Sequence, residues 1–319
     1  MEETCITIWH FPTHERWFDE GTRRSLRLIA EAGFTHVNWN CDAGHSYIYA
    51  PSEIEFIGQL LEESGLRAWS IHGSNGQSNV SEVISRDARS CVLETRKNFL
   101  SPIEWQRQAG LDLIRNRLTL AKRIGAPNVV MHVELTDAVM MDNDAKLAAF
   151  EVIHRSFDDL RDDCESAGVR IAVENLPQMQ LAHTLELLSR IFERHPESQI
   201  GLCYDSGHAE LADPHGFQIL EAFGERLITT HLHDNHGATD DHLLPWDGVI
   251  DWDRLLDLIA GTPCPLPLNF ETPYKFYGHG YSVSETAFYS RAYNVISRAE
   301  QRVRRIRDDA PVPTHAGQD

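Results

Sequence analysis

The sequence predicts one α/β domain, a (β/α)8 TIM barrel, and three observations carry that reading. Short apolar runs and amphipathic segments alternate eight times with no low-complexity linker between them. That is the pattern of parallel strands joined by helices and, at eight repeats, of a closed barrel. No Gly-x-Gly-x-x-Gly follows the first run, which removes the main signal for an open dinucleotide-binding sheet. Six of the runs also stop at an acid or an imidazole: Trp69-Ser-Ile-His72, Val129-Val-Met-His132, Ile171-Ala-Val-Glu174, Ile200-Gly-Leu-Cys-Tyr-Asp205, Ile228-Thr-Thr-His231 and Leu268-Asn-Phe-Glu271. In a barrel the carboxyl ends of the strands share one mouth, so these polar residues converge.

The first strand is predicted over 5–10, followed by a helix over 22–31 that Gly33 stops. The second strand, 35–40, leads to a helix opened by a capping box at Pro51-Ser52-Glu-Ile-Glu55 and closed by Gly65. Ile54, Ile57, Leu60 and Leu61 are its apolar stripe. The third strand covers 66–72. Residues 73–100 then read as a lid-like insertion, because its Gly-Ser-Asn-Gly opening directly follows a strand end. Ser101-Pro102-Ile-Glu104 opens a helix running to Ile124. The fourth strand lies over 128–133, a long helix over 145–167, and the fifth strand over 169–174. A helix over 185–192 precedes the sixth strand, 200–205, and a short one over 217–223 precedes the seventh, 227–232. A polar loop over 233–249 and a helix over 251–259 lead to the eighth strand, 266–271. An aromatic loop, Tyr274-Lys-Phe-Tyr277-Gly-His-Gly-Tyr281, and a closing helix over 284–305 complete the barrel, which spans 1–307. Residues 308–319 read as a disordered tail.

Composition narrows the function classes. The chain has 42% hydrophobic and 24% charged residues and no apolar run of membrane-spanning length. Its first residues lack the basic region and apolar core of a signal peptide, so a cytoplasmic location without membrane partners is expected. Six cysteines are scattered without a Cys-x-x-Cys pair, which supports neither a thiolate zinc site nor a disulfide framework. The net charge of −19 opposes attraction to a phosphate backbone and disfavours a nucleic-acid partner.

One strand-terminal acid or histidine is usually structural; here the set carries the argument. Glu174, Asp205, His231 and Glu271 end strands five to eight in succession, and three carboxylates buried side by side repel one another unless a cation sits between them. Oxygen and imidazole ligands suit a divalent metal ion. His233, two residues beyond His231, is the alternative ligand if the strand ends one period later. Packing is the ordinary role of His10, Trp39, Trp246 and Tyr277 taken singly, but aromatics gathered at one mouth suit stacking on a sugar ring. They are expected, with His72 and His233, to contact substrate.

The runs Ile-Ala-Val-Glu174-Asn, Tyr-Asp205-Ser-Gly-His208, His231-Leu-His-Asp234 and Asn-Phe-Glu271-Thr-Pro resemble the xylose-isomerase-like TIM barrel superfamily. That group includes keto-sugar 3-epimerases, inosose isomerases and dehydratases, and endonuclease IV. The resemblance implies one manganese, cobalt or magnesium ion on Glu174, Asp205, His231 and Glu271, with manganese expected first. It also implies proton shuttling by the two glutamates and substrate contact by His208. By the same resemblance His72, His132, His208, Asp240 and His242 match additional zinc ligands of endonuclease IV, which makes a zinc phosphodiesterase the rival reading. A small carbohydrate is the expected partner, the resemblance implies a homo-oligomer, and relatives that cleave 3-keto glycosides do so with a small accessory subunit.

The expected chemistry is removal of a carbon-bound proton beside a carbonyl by Glu174, Glu271 or His132. Return of the proton to another carbon gives an isomerase, to the other face an epimerase, and loss of a β substituent a lyase. A non-catalytic sugar-binding barrel would not need three carboxylates at one point.

Overall fold

The computed structural model describes residues 3–9, 18–40, 47–77, 96–274 and 283–309. Eight strands alternate with helices: β1 Cys5–Trp9, α1 Phe18–Ala32, β2 His36–Asn40, α2 Pro51–Ser64, β3 Arg67–Gln77, α3 Glu104–Ile124 and β4 Asn128–Glu134. Then follow α4 Asp137–Met141, α5 Asn143–Asp159, α6 Arg161–Ala167, β5 Arg170–Glu174, α7 Leu181–Arg194, β6 Ile200–Asp205 and α8 Ser206–Ala212. The chain continues through α9 Gln218–Phe223, β7 Leu227–His231, α10 Trp252–Ala260, β8 Asn269–Phe270 and α11 Glu285–Asp309. Every registered strand pair is parallel, in the order β7-β6-β5-β4-β3-β2-β1-β8. The ring closes where Leu232 N donates to Asn269 O (3.0 Å) and Glu271 N to Leu232 O (2.9 Å).

The main apolar core lies between the outer faces of the strands and the helices, with Val37, Ile71, Val129, Ile171 and Leu202 meeting Leu26, Ile57, Leu111, Leu187 and Leu255. The lumen is divided. Val130, Ala172, Cys203 and Ile228 from β4 to β7 form a small apolar cluster of their own. On the opposite side Asn38 Nδ2 donates to Thr7 Oγ1 (3.1 Å), Ser70 Oγ to Asn38 Oδ1 (2.8 Å) and Asn269 Nδ2 to Thr7 Oγ1 (3.3 Å). Polar groups are tolerated at this depth because each finds a partner.

Several boundaries differ from expectation for local reasons. Only half of the expected capping box forms, two residues early: Ala50 precedes the helix and has no side-chain acceptor, Glu53 Oε2 accepts from Ala50 N at 2.6 Å, and Glu55 turns to Arg123 instead. Gly65 ends that helix at φ 72°, a left-handed conformation that favours glycine. Helix α3 starts at Glu104 rather than Ser101, because Glu104 pairs with Arg107 and Arg155 and does not reach back to Ser101. Strand β3 runs on to Gln77, pairing Asn75, Gly76 and Gln77 with β4, so the first residues of the expected insertion are sheet. Its last residues, Asn98, Phe99 and Leu100, are buried. The expected lid residues 78–95, most of the aromatic loop (275–282) and tail residues 310–319 lie outside the described residues. Asp308 and Asp309 still belong to α11. The helix expected over 145–167 breaks at Leu160, and β8 is only two residues long. Pro267 has no N–H for a ladder, so pairing begins after it.

Candidate metal centre

The strand register sets the site. His132 lies beside Glu174 across β4 and β5, and Asp205 beside His231 across β6 and β7, so four chemically active side chains share one layer. Glu271 joins them immediately after β8. Glu174, Asp205, His231 and Glu271 are all at most 4% exposed, and their ligating atoms lie within 4.8 Å of one another. His231 Nδ1 stands 3.1 Å from both Glu174 Oε1 and Glu271 Oε2. Its Nε2 lies 3.5 Å from Asn38 Nδ2, and Cys203 Sγ is within 4.8 Å of a ring nitrogen.

Glu174 has a second role. Its Oε2 is 3.0 Å from His132 Nε2 and 4.0 Å from His72 Nε2, so it belongs both to the four-residue group and to a His72, His132, Glu174 group. A third group builds on Asp205. His233 Nε2 lies 3.1 Å from Asp205 Oδ1 and His208 Nδ1 3.6 Å from Asp205 Oδ2, while Asp240 Oδ2 is 3.4 Å from His208 Nε2 and 3.1 Å from His242 Nε2. The His233 and His242 rings stack at 4.0 Å with 12° between their planes. His242 Nδ1 is fixed by the Glu271 carbonyl oxygen at 2.7 Å.

Electrostatics give the same picture. Burial disfavours the charged form of His208, yet the Asp205 and Asp240 carboxylates lift it to about 10. His233 is likewise opposed by burial and raised by Asp205 to about 9. Burial would raise Glu271, but His231 pulls it down to about 2, and His231 and His132 hold the Glu174 carboxyl well below its usual range. Carboxylates and imidazoles thus favour one another's charged forms, and a cation bound among them would take over the role of the imidazole protons. Among the described residues Asp240 Oδ1 is buried without a hydrogen bond, with His233 Nε2 3.6 Å away. A buried donor set of carboxylates and imidazoles fits a divalent cation.

Glu174, Asp205, His231 and Glu271 converge, and His72, His132, His208, Asp240 and His242 surround them. His233, expected as a substrate contact, stands among the donors next to Asp205. Trp39 is not at the mouth: it is 1% exposed in the outer core, with its indole N–H toward Tyr49 Oη at 3.5 Å. Side chains alternate across a strand, and β2 gives its lumen side to Asn38. Trp246 packs outward, against Trp252 and under the Arg298 guanidinium at 4.7 Å. His10 and Tyr277 lie outside the described residues.

Sequence reasoning gave no role to Asn175 or Asn40. Asn175 exchanges two 2.9 Å hydrogen bonds with the Asp205 backbone, and its carbonyl oxygen lies 3.0 Å from His208 Nδ1. Asn40, two residues beyond Asn38 on the same side of β2, buries an Nδ2 that has no hydrogen-bond partner among the described residues. The adjacency of Asn175 to Glu174 was the only available signal for the first. The second needed the strand alternation.

A sequence model described as "Xylose isomerase-like TIM barrel" matches residues 26–287. The chain belongs to that family. A relative from Sinorhizobium fredii (strain NBRC 101917 / NGR234), "Uncharacterized protein y4fM", is 49% identical over 308 residues, covering 97% of this chain and 98% of its own. Methanocaldococcus jannaschii MJ1311, also described as uncharacterized, is 26% identical over 66% of this chain and 76% of its own length. Among solved structures, an L-ribulose 3-epimerase superposes with TM-score 0.67 at 13% identity, covering 98% of this chain and 99% of its own. A D-tagatose 3-epimerase-like protein gives 0.66 at 17%, with 94% and 98% covered, and the Escherichia coli 3-keto-D-glucoside 4-epimerase YcjR 0.63 at 16%, with 93% and 100% covered. At these identities the structures share the barrel with this member of the family. Among the described residues no helix is long and apolar enough to cross a membrane.

Proposed function

We propose that this member of the family is a divalent-metal-dependent epimerase or isomerase of a small keto sugar or polyol. The observation that carries the reading is the buried convergence of Glu174, Asp205, His231 and Glu271. Epimerases of keto sugars and of a 3-keto glucoside among the structural neighbours support it. A cation held by these four residues, manganese first, supplies positive charge that stabilises the oxygen of an enediolate.

The chain's own residues divide the remaining work. Glu174 has both oxygens engaged, Oε1 with His231 and Oε2 with His132, whereas Glu271 presents Oε2 to His231. Glu271 is the less encumbered carboxylate and takes the carbon-bound proton beside the carbonyl. Glu174 returns a proton, relayed to its Oε2 from solvent through His132 at 3.0 Å, to the opposite face or to the neighbouring carbon, while the proton taken by Glu271 is released to solvent. The buried Nδ2 of Asn40 donates to a substrate oxygen, and His72 from β3 and His208 from the first turn of α8 contact substrate. Expulsion of a β substituent from the same enediolate would make the protein a lyase on 3-keto glycosides.

A zinc phosphodiesterase of the endonuclease IV kind is the second reading, favoured by the flanking donor groups around His72 and His132 and around His208, Asp240 and His242. The test is a panel of keto sugars and 3-keto glycosides incubated with protein stripped by chelator and then reloaded with manganese, magnesium, cobalt or zinc. Interconversion that chelation abolishes and reloading restores supports the proposal. Turnover that chelation leaves untouched removes the metal from it.

A further inference from the structure

Asp240 and His242 are not carried by a strand. They lie in the long connection between β7 and α10, and that connection is held at both ends by a single buried side chain. The Asp234 carboxylate accepts four hydrogen bonds: Oδ1 from Asn235 N (2.9 Å) and Ile250 N (3.2 Å), Oδ2 from Gly248 N (3.0 Å) and Trp252 Nε1 (2.7 Å). Its backbone pairs with Leu243 in both directions, at 2.9 and 2.8 Å. The turn it gathers is tight. A Cβ on Gly248 would lie 2.1 Å from Asn235 O and 2.3 Å from Asp234 Oδ1, so only glycine fits there. Two side-chain-bearing residues inside the connection, His242 (φ 49°) and Trp246 (φ 66°), have left-handed backbone. That conformation is unfavourable for them and persists only where the surroundings impose it.

We propose that Asp234 is the positioning residue that holds Asp240 and His242 in the donor cluster, and that without it the site divides. The strand-borne group Glu174, Asp205, His231 and Glu271 keeps its cation, while the group of His208, His233, Asp240 and His242 loses the two donors the connection supplies. The inference rests on the reading of these groups as metal sites, but its structural half stands apart from it.

The experiment compares full-length wild type, Asp234→Asn, Gly248→Ala and the control Asp247→Asn, a residue of the same connection that pairs with Arg291. Circular dichroism establishes folding, zinc titration of chelator-stripped protein counts binding steps, and hydrogen exchange by mass spectrometry follows the peptide covering 235–250. Asp234→Asn is expected to exchange faster in that peptide and to weaken one zinc step roughly 10- to 100-fold while every other step is unchanged. Asp247→Asn is expected to behave as wild type. Should Asp234→Asn not fold, Gly248→Ala displaces the same turn without removing a charge and carries the test. Wild-type exchange together with wild-type zinc steps in the folded variant overturns the proposal. If wild type itself binds no zinc in this group, the multi-ion reading fails alone, and the exchange rate still decides the role of Asp234: faster supports it, unchanged overturns it.

Discussion

A Cβ built on Gly207 would lie 1.9 Å from Cε1 of His233, so that ring can reach Asp205 only because residue 207 has no side chain. Gly207→Ala should therefore displace His233 without disturbing the apolar core, lowering turnover at least tenfold while the melting temperature changes by only a few degrees, about what 1 kcal/mol moves. Unchanged turnover in that variant would remove His233 from the working site. Asp205 tests the four-residue group more directly. Asp205→Ala removes a proposed metal ligand and the acceptor for His208 N, a helix cap worth about 1 kcal/mol, but no core contact. Elemental analysis should find the strand-borne ion gone from a protein that still folds, and wild-type metal content would contradict the assignment. At this scale the sequence disclosed the strand-terminal donors, because an acid or imidazole ending an apolar run is visible without a fold. Trp39 misled, since its place in an apolar run does not say which face of the strand it occupies.

At the scale of elements, β8 depends on α11. Glu300, on that helix, is buried, its carboxylate accepts the Leu268 N–H just ahead of β8, and burial pushes it up to about 8 despite Arg304 and Arg307 nearby. The folded state thus keeps a proton on Glu300 between the ordinary carboxylate range and about pH 8, where the unfolded chain has already lost it. Stability from this group is complete below that window and declines as pH rises through it, by at most roughly 1.4 kcal/mol per unit of displacement. Glu300→Gln should match wild type in melting temperature at pH 5 and exceed it at pH 8.5. An equal difference at both pH values would show that Glu300 is ionised throughout. Helix bodies were legible from their apolar stripes, as with Ile54, Ile57, Leu60 and Leu61. Their starts were less so, because Ser52 and Ser101 look like caps in sequence, whereas the glutamates they would share are taken by Arg123, Arg107 and Arg155 on other turns and helices. The connection holding Asp240 and His242 was legible only as a polar loop, since its shape depends on Asp234 meeting Gly248, Ile250 and Trp252 far along the chain.

Across the whole molecule, the barrel was readable from eight alternations because each strand must bury two faces and each helix one. The distribution of basic side chains was not. Arg123 lies between Glu55 and Glu62, Arg115 between Asp112 and Asp163, and Arg302 between Asp253 and Asp257, so these arginines tie neighbouring helices together. Such exposed pairs each contribute about 0–1 kcal/mol, but they turn basic groups toward acids of the same surface. With a net charge of −19, the chain should gain little from a DNA backbone, and no incision of abasic DNA is expected with zinc or manganese present. Proton transfer at carbon is read out by mass spectrometry of keto sugars and 3-keto glycosides incubated with manganese-loaded protein in deuterated water. Deuterium should appear on the carbon beside the carbonyl, even where net conversion is slight, and should be absent with chelator-stripped protein and with Glu271→Gln. No exchange across a broad panel, together with efficient cleavage of a phosphodiester, would contradict the account.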